Sequence, residues 1–339
     1  METTNDDDFR FLTNCSLIKE DVPLDQPSAA FFLKHIDRTY FVLLMIGSAV
    51  TALIVLLSFV HWYNVWTYVS NERRQNNLYW LLGLFPFSSI CCLIGMFIPR
   101  TALLTFAFAF LYFMVCLFSV VTLLRHLFGG RAAMAEFLAH HKHLISFQMP
   151  PFCCCCRCLP KATPAEQNLR RVEWLVLQAP FVRTVIAAVS LLIVFELRED
   201  AAWWLKITDI LGVISMLFAI FGCHTLSNLA REKIPEYGFM AIFRIVDFAL
   251  LLFGVQKMIT DTLARFNVFS CGPLLTPIDK SHYWNSFFLI IEMFLLSLLS
   301  TFLFKPSKNA MFDKYPGRIQ LKEKQSENVM LTNIVVGHK

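Results

Sequence analysis

Five cysteines fall within six residues, Cys153, Cys154, Cys155, Cys156 and Cys158, in the stretch Phe147–Pro160 (FQMPPFCCCCRCLP). Pro150, Pro151 and Pro160 bracket them, so the segment reads as neither helix nor central strand. Thiols at this density could carry acyl chains, hold a metal or stay reduced and buried. A zinc site needs spaced ligands, so that four donors can surround one ion. Adjacent cysteines point in divergent directions, and no second Cys/His set has matching spacing, although His140, His141 and His143 lie nearby. Cysteines beside membrane segments are candidates for S-acylation, and each chain adds ~0.8 kcal/mol of membrane affinity per buried methylene. The reading is therefore S-acylation of Cys153–Cys156 and Cys158. Metal, or plain buried or redox thiols, are the alternatives. No metal and no cofactor are expected.

The second group consists of polar residues inside apolar runs. A charge at the bilayer centre costs at least ~2.5–3.5 kcal/mol by insertion scales, so such residues usually face the protein interior. Arg183 and Glu292 each fall about midway along such a run. They could pair with each other, or line a path on which Arg183 attracts an anion, with Gln178 close by. Arg244 and Asp247 are i, i+3 neighbours, and Lys257 and Asp261 are i, i+4 neighbours; local pairing or snorkelling to the interface accounts for both. Gln256 adds a buried hydrogen-bonding group, and His224 reads as packed rather than titrating. Gln178, Arg183, Arg244, Gln256 and Glu292 are the candidate pathway residues.

The elements that position these groups are membrane spans. The chain has 339 residues, 56% hydrophobic, with 34 Phe and only 16% charged, against about 25% charged in a soluble domain. Apolar runs of 18 or more residues are long enough to cross ~30 Å of hydrocarbon as helices. Seven are predicted, at about 40–62, 78–98, 102–124, 173–195, 207–230, 238–263 and 283–304. The fold class is thus an all-α integral membrane protein. Pro86 predicts a kink in span two. Residues 125–172 form a long loop, in which Met134, Phe137, Leu138, His141, Leu144 and Ile145 recur at helical spacing. This is an amphipathic helix, either on the membrane surface or packed on the protein's own core. Residues 1–38 and 305–339 are polar tails, the second lysine-rich and expected to be unstructured. Residues 1–30 show no cleavable signal peptide. The basic residues lie in loops rather than in one stripe, so nucleic acid is not a partner.

Orientation follows from charge. With the N-terminus outside, the cytosolic regions hold 18 Lys and Arg and the outside regions 9, which favours N-out and C-in. Asn14-Cys15-Ser16, the chain's one N-x-S/T sequon, then lies where N-glycosylation occurs, and the cysteine run faces the reducing cytosol. Cys15 and Cys271 would share the outer side and could form a disulfide.

Enzyme chemistry has little support: there is no H-E-x-x-H, no G-x-S-x-G and no phosphate-binding glycine loop. Gly129-Gly130, Phe147-Gln148, Pro150-Pro151, Cys153–Cys156, Cys158 and Leu159-Pro160 resemble the cysteine-rich loop of the organic solute transporter alpha subunit family. Val176-Leu177-Gln178 with Arg183, Arg244 with Gln256, and Ile291-Glu292-Met293 are similar to its span motifs. The likeness covers roughly residues 35–305. Arg157, inside the cluster, and the absence of a proline just after Arg183 are departures. The resemblance implies facilitative, gradient-driven movement of bile acids, conjugated steroids and similar amphipathic organic anions across the plasma membrane, with the endoplasmic reticulum as a second location. It also implies a heteromer with a single-span beta subunit, in contact with membrane lipids. The alternatives are a related seven-span protein with a trafficking or membrane-organising role, and a seven-span receptor. Against the receptor, this sequence lacks an acidic residue before Arg125 and an N-P-x-x-Y in span seven.

Overall fold

The computed structural model describes residues 28–142, 144–148, 161–197, 201–230, 237–266, 268–269, 274–307 and 309–316. Among these, seven helices are long and apolar enough to cross a membrane: Arg38–Tyr68, Glu72–Phe97, Pro99–Phe128, Glu166–Ile193, Lys206–Leu229, Phe239–Ala264 and Pro277–Leu303. They are spans one to seven. Each predicted run falls on one of them, and the chain is a multi-pass, all-helical membrane protein. The helices outrun the apolar runs because polar turns and caps extend them. Asn71 accepts from the backbone of Arg74 (3.2 Å) at the start of span two. Thr276 and Asp279 form a capping box around Pro277 at the start of span seven. Gly129 takes a left-handed φ of 84° to close span three.

Two spans are interrupted where they matter. In span two the helix breaks at Gly83, three residues before the proline that predicted a kink. The ring of Pro86 crowds the carbonyl four residues back, that of Leu82, and lacks an N–H to bond it. Beside the break, the Trp80 carbonyl accepts from the Tyr112 hydroxyl (3.0 Å) and the Cys116 thiol (3.4 Å) of span three. In span six one π-turn, Leu252–Gln256, separates two α-helical segments. It rotates the following residues relative to an unbroken helix.

Span seven packs on spans one, two and six, and span four on spans three and five. Buried Thr51, Ser58 and His61 stand on span one, and His61 meets Thr301 of span seven at 2.8 Å. The Tyr283 hydroxyl donates to the Tyr40 carbonyl (2.7 Å) near the opposite end. In the long loop the helix Arg131–His140 is packed on the protein's own core: Met134 and Leu138 are buried, and Phe137 meets Phe128 of span three edge-on. Ile145 and Ala162 exchange backbone hydrogen bonds of 2.9 and 3.0 Å, so the two ends of the cysteine-bearing stretch are held together. Part of the tail expected to be unstructured is folded, and residues 317–339 lie outside the described residues. Residues 309–315 fold back onto the helix ends, with Met311 and Phe312 buried.

Candidate functional site

Span three carries an aromatic stripe. Phe106, Phe110 and Phe113 follow one another at helical spacing, and Phe106 and Phe110 stack at 6.4 Å. Phe253, from the π-turn of span six, packs on Phe106 (5.7 Å) and Phe113 (6.1 Å). Two cations approach this stripe from different helices. The Arg183 guanidinium of span four lies 4.4 Å from the centre of the Phe110 ring. The Lys257 ammonium of span six lies 5.4 Å from that of Phe106. Cation–π contacts of this kind contribute about 0.5–2 kcal/mol.

Arg183 reaches the ring because its neighbour on span five is a glycine. A Cβ at Gly212 would stand 2.5 Å from an Arg183 guanidinium nitrogen. Met114, Val182 and Met216 complete an apolar crevice around the cation. One helix turn away, Gln178 and Ser215 exchange hydrogen bonds. The Gln178 amide donates to the Ser215 carbonyl (2.9 Å), and the Ser215 hydroxyl donates to the Gln178 amide oxygen (2.8 Å). This exchange fixes the register of spans four and five beside the cation.

The second polar centre lies between spans six and seven. The Gln256 amide, turned nitrogen-first, donates to both Glu292 oxygens (2.7 and 3.2 Å). The π-turn ends at Gln256 and aims it across at span seven. Lys257, next in sequence, pairs with Asp261 at 2.5 Å, and His282 stands 3.6 Å from the other Asp261 oxygen.

Several sequence expectations change here. Arg183 and Glu292 were candidates for an ion pair. The structure gives Glu292 to Gln256 and stacks Arg183 on Phe110, because spans four and seven pack on different neighbours. Span four starts at Glu166 rather than Glu173, so Arg183 lies 17 residues, roughly 26 Å at 1.5 Å per residue, along its helix. That is past its middle. Glu292 sits 15 residues into the 27-residue span seven, close to its centre. Asp247 does not pair with Arg244. It faces His224 of span five (3.4 Å), whose ring packs edge-on against Phe243. Arg244 is exposed and lies 12 residues, about 18 Å along the helix, from Gln256, so it stands apart from the aromatic stripe. The expected i, i+4 pair of Lys257 and Asp261 is present. The stripe itself escaped the sequence reading. Spacing of i, i+4 beside mid-span cations was its signal, diluted among 34 phenylalanines. Asn14, Cys15, Cys153–Cys156, Cys158 and Cys271 lie outside the described residues.

A cation on an aromatic face beside apolar side chains is the kind of group that attracts an anion on an apolar body, but the crevice around Arg183 is filled, so an anion reaches it only if the packed side chains give way. Comparison with known proteins says what kind of protein carries it. The family model for the organic solute transporter Ostalpha matches residues 43–309. The chain belongs to the organic solute transporter alpha family. Among that family, organic solute transporter alpha-like protein 3 of Caenorhabditis elegans is 44% identical over 301 residues, covering 88% of this chain and 86% of the relative. The alpha-like protein 2 of the same organism is 36% identical, covering 90% and 89%. The organic solute transporter subunit alpha of Homo sapiens is 26% identical, covering 67% and 68%. No solved structure matches the chain. Membership supports a role in transport, and the family match spans all the residues of the stripe and both polar centres.

Proposed function

We propose that this organic solute transporter alpha-family chain is the alpha subunit of a facilitative, gradient-driven carrier. Its substrates are amphipathic organic anions of the bile-acid and conjugated-steroid class. It works in the plasma membrane with a single-span beta subunit, its N-terminus outside and its C-terminus cytosolic. The observation that carries the substrate class is Arg183 on the aromatic stripe of span three; the charge of Lys257, on the same stripe, is already matched by Asp261. An amphipathic anion needs a cationic point for its head and an apolar wall for its body, and a charge at this depth is retained only where the interior compensates it. Arg183 gives its planar cation to one ring, and the flanking methionines and valine form the wall. Facilitative movement fits the same elements: a single shallow attraction, rather than a closed cage of donors, lets the anion leave as readily as it enters. The cysteine run then supplies S-acyl chains that anchor the long loop to the bilayer.

The test is uptake and efflux of labelled estrone sulfate or taurocholate in cells expressing the chain, with and without a single-span partner and with surface level measured. Saturable, partner-dependent flux that follows the gradient in both directions is expected. Absence of flux with every partner tried, despite surface delivery, would overturn the reading in favour of a membrane-organising role.

A further inference from the structure

Where span three ends and span four begins, a second recess opens sideways between them, with a volume of about 350 Å³. It lies roughly 20 Å from Arg183 along span four, since Arg170 is 13 residues earlier in the helix. Its head is basic. Arg125, Arg131 and Arg170 line it, with Glu173 as the one carboxylate among its lining residues. Glu173 is shared. Arg131 binds it through two nitrogens (2.6 and 3.2 Å), and Arg125 stands at 3.7 Å. Glu166, largely exposed, reaches Arg131 only at 3.9 Å. Arg170 has no ion-pair partner among the described residues. The lining therefore carries two positive charges more than its carboxylate neutralises. Below the arginines the wall is apolar, and Trp174 at its edge is exposed. A tryptophan there marks the interfacial depth at which lipid headgroups sit.

We propose that this groove binds the phosphate of an anionic phospholipid, with one acyl chain lying along Trp174 and Leu177. The shared chemistry is a phosphate anion on an arginine fork. The source is lipid rather than soluble phosphate because the basic head continues directly into an apolar wall that opens to the bilayer. Basic pockets between spans bind acidic headgroups in this way. Arg125 and Arg170 make the contact, and Arg131 positions Arg125 by sharing Glu173 with it. In the orientation proposed above this end of the bundle meets the cytosolic leaflet, but binding itself depends neither on orientation nor on transport.

The experiment is native mass spectrometry of the full-length chain from micelles containing equal phosphatidylserine and phosphatidylcholine. Retained phosphatidylserine is expected to exceed phosphatidylcholine by about tenfold or more. Arg170→Gln is expected to cut that ratio about fivefold, since each arginine near a membrane surface adds attraction of that size. Arg125→Gln is expected to do likewise. Arg170 is exposed, so its variant keeps the Arg131–Glu173 contact, and an unchanged melting temperature without added lipid confirms the fold. Equal retention of the two lipids, or a ratio unmoved by both variants, overturns the proposal. So does displacement of phosphatidylserine by glycerophosphoserine or inorganic phosphate, which would make it a soluble-anion site. Displacement by estrone sulfate would make it a cargo site and overturn it equally. Because no flux is measured, none of these outcomes depends on the carrier reading.

Discussion

Arg183 shows how one residue can be placed by what its neighbour lacks. Its guanidinium occupies the space that a side chain at position 212 would fill. Gly212→Val should push the cation off the Phe110 ring while leaving its charge intact. Flux at matched surface level is expected to fall severalfold, from the loss of a contact of about 0.5–2 kcal/mol and of the head's position. Arg183→Ala should abolish saturable flux. Arg183→Lys should fall between, because an ammonium keeps the charge but not the planar stacking. Normal flux in Gly212→Val would show that the stacked position is not the working one. The charge at 183 was legible from sequence because a basic residue inside an apolar run stands out. Its partner was not. Phe110 is an ordinary apolar residue by composition, and only the fold shows that it faces a cation rather than lipid.

Helix contacts decide how these residues stay in register. The seven spans were legible because burial in lipid demands long apolar runs, whereas their ends were not, since caps and polar turns extend helices past the hydrocarbon. The Gly83 break and the π-turn at Leu252–Gln256 depend on contacts between spans, which no single run records. Gly83 illustrates this. A Cβ there would collide with the Tyr112 hydroxyl, which donates to the Trp80 carbonyl. Gly83→Ala should therefore displace Tyr112, leave that carbonyl with only the weaker of its two donors from span three, the Cys116 thiol (3.4 Å), and lower the thermal stability of the purified chain. Adding Tyr112→Phe should recover part of the loss by relieving the collision. Between spans four and five, Gln178→Leu removes both exchanged hydrogen bonds with Ser215. Interhelical hydrogen bonds in membranes average about 0.6 kcal/mol each, so a loss near 1 kcal/mol is expected in unfolding assays. Ser215→Ala, which keeps the carbonyl acceptor, should lose about half. Equal losses would show that the Ser215 carbonyl contributes nothing.

The whole molecule is closed at one end by its own chain. After span seven, residues 309–315 run back under the bundle and join elements far apart in sequence. The Lys314 N–H donates to the Tyr68 carbonyl (3.0 Å), and Arg74 donates to the Met311 carbonyl (3.1 Å). Asp313 accepts from the Ser70 backbone (2.9 Å) and from the Ser70 hydroxyl. The sequence made this segment look like a solvated tail because it is polar and lysine-rich. Its two apolar residues, Met311 and Phe312, are too few for a periodic signal, yet burying each contributes about 1.5–3 kcal/mol. Partial burial works to raise the Asp313 pKa, but the two bonds from Ser70 and the nearby Arg74 outweigh it and hold the carboxyl below its ordinary value. The stabilisation is thus complete above the unfolded aspartate pKa and is lost as pH falls through the lowered folded one. Near neutral pH the latch should be insensitive to pH. Asp313→Ala removes the acceptor of two exposed hydrogen bonds from Ser70, which water can partly replace, and should cost about 0.5–1.5 kcal/mol locally. Hydrogen exchange at 309–315 and at 69–74 should then rise together, with the spans unchanged. Asp313→Asn keeps one acceptor oxygen and should raise it less. Exchange that rises at 309–315 alone would mean that residues 69–74 are ordered without the tail, and that the latch closes on a surface already formed.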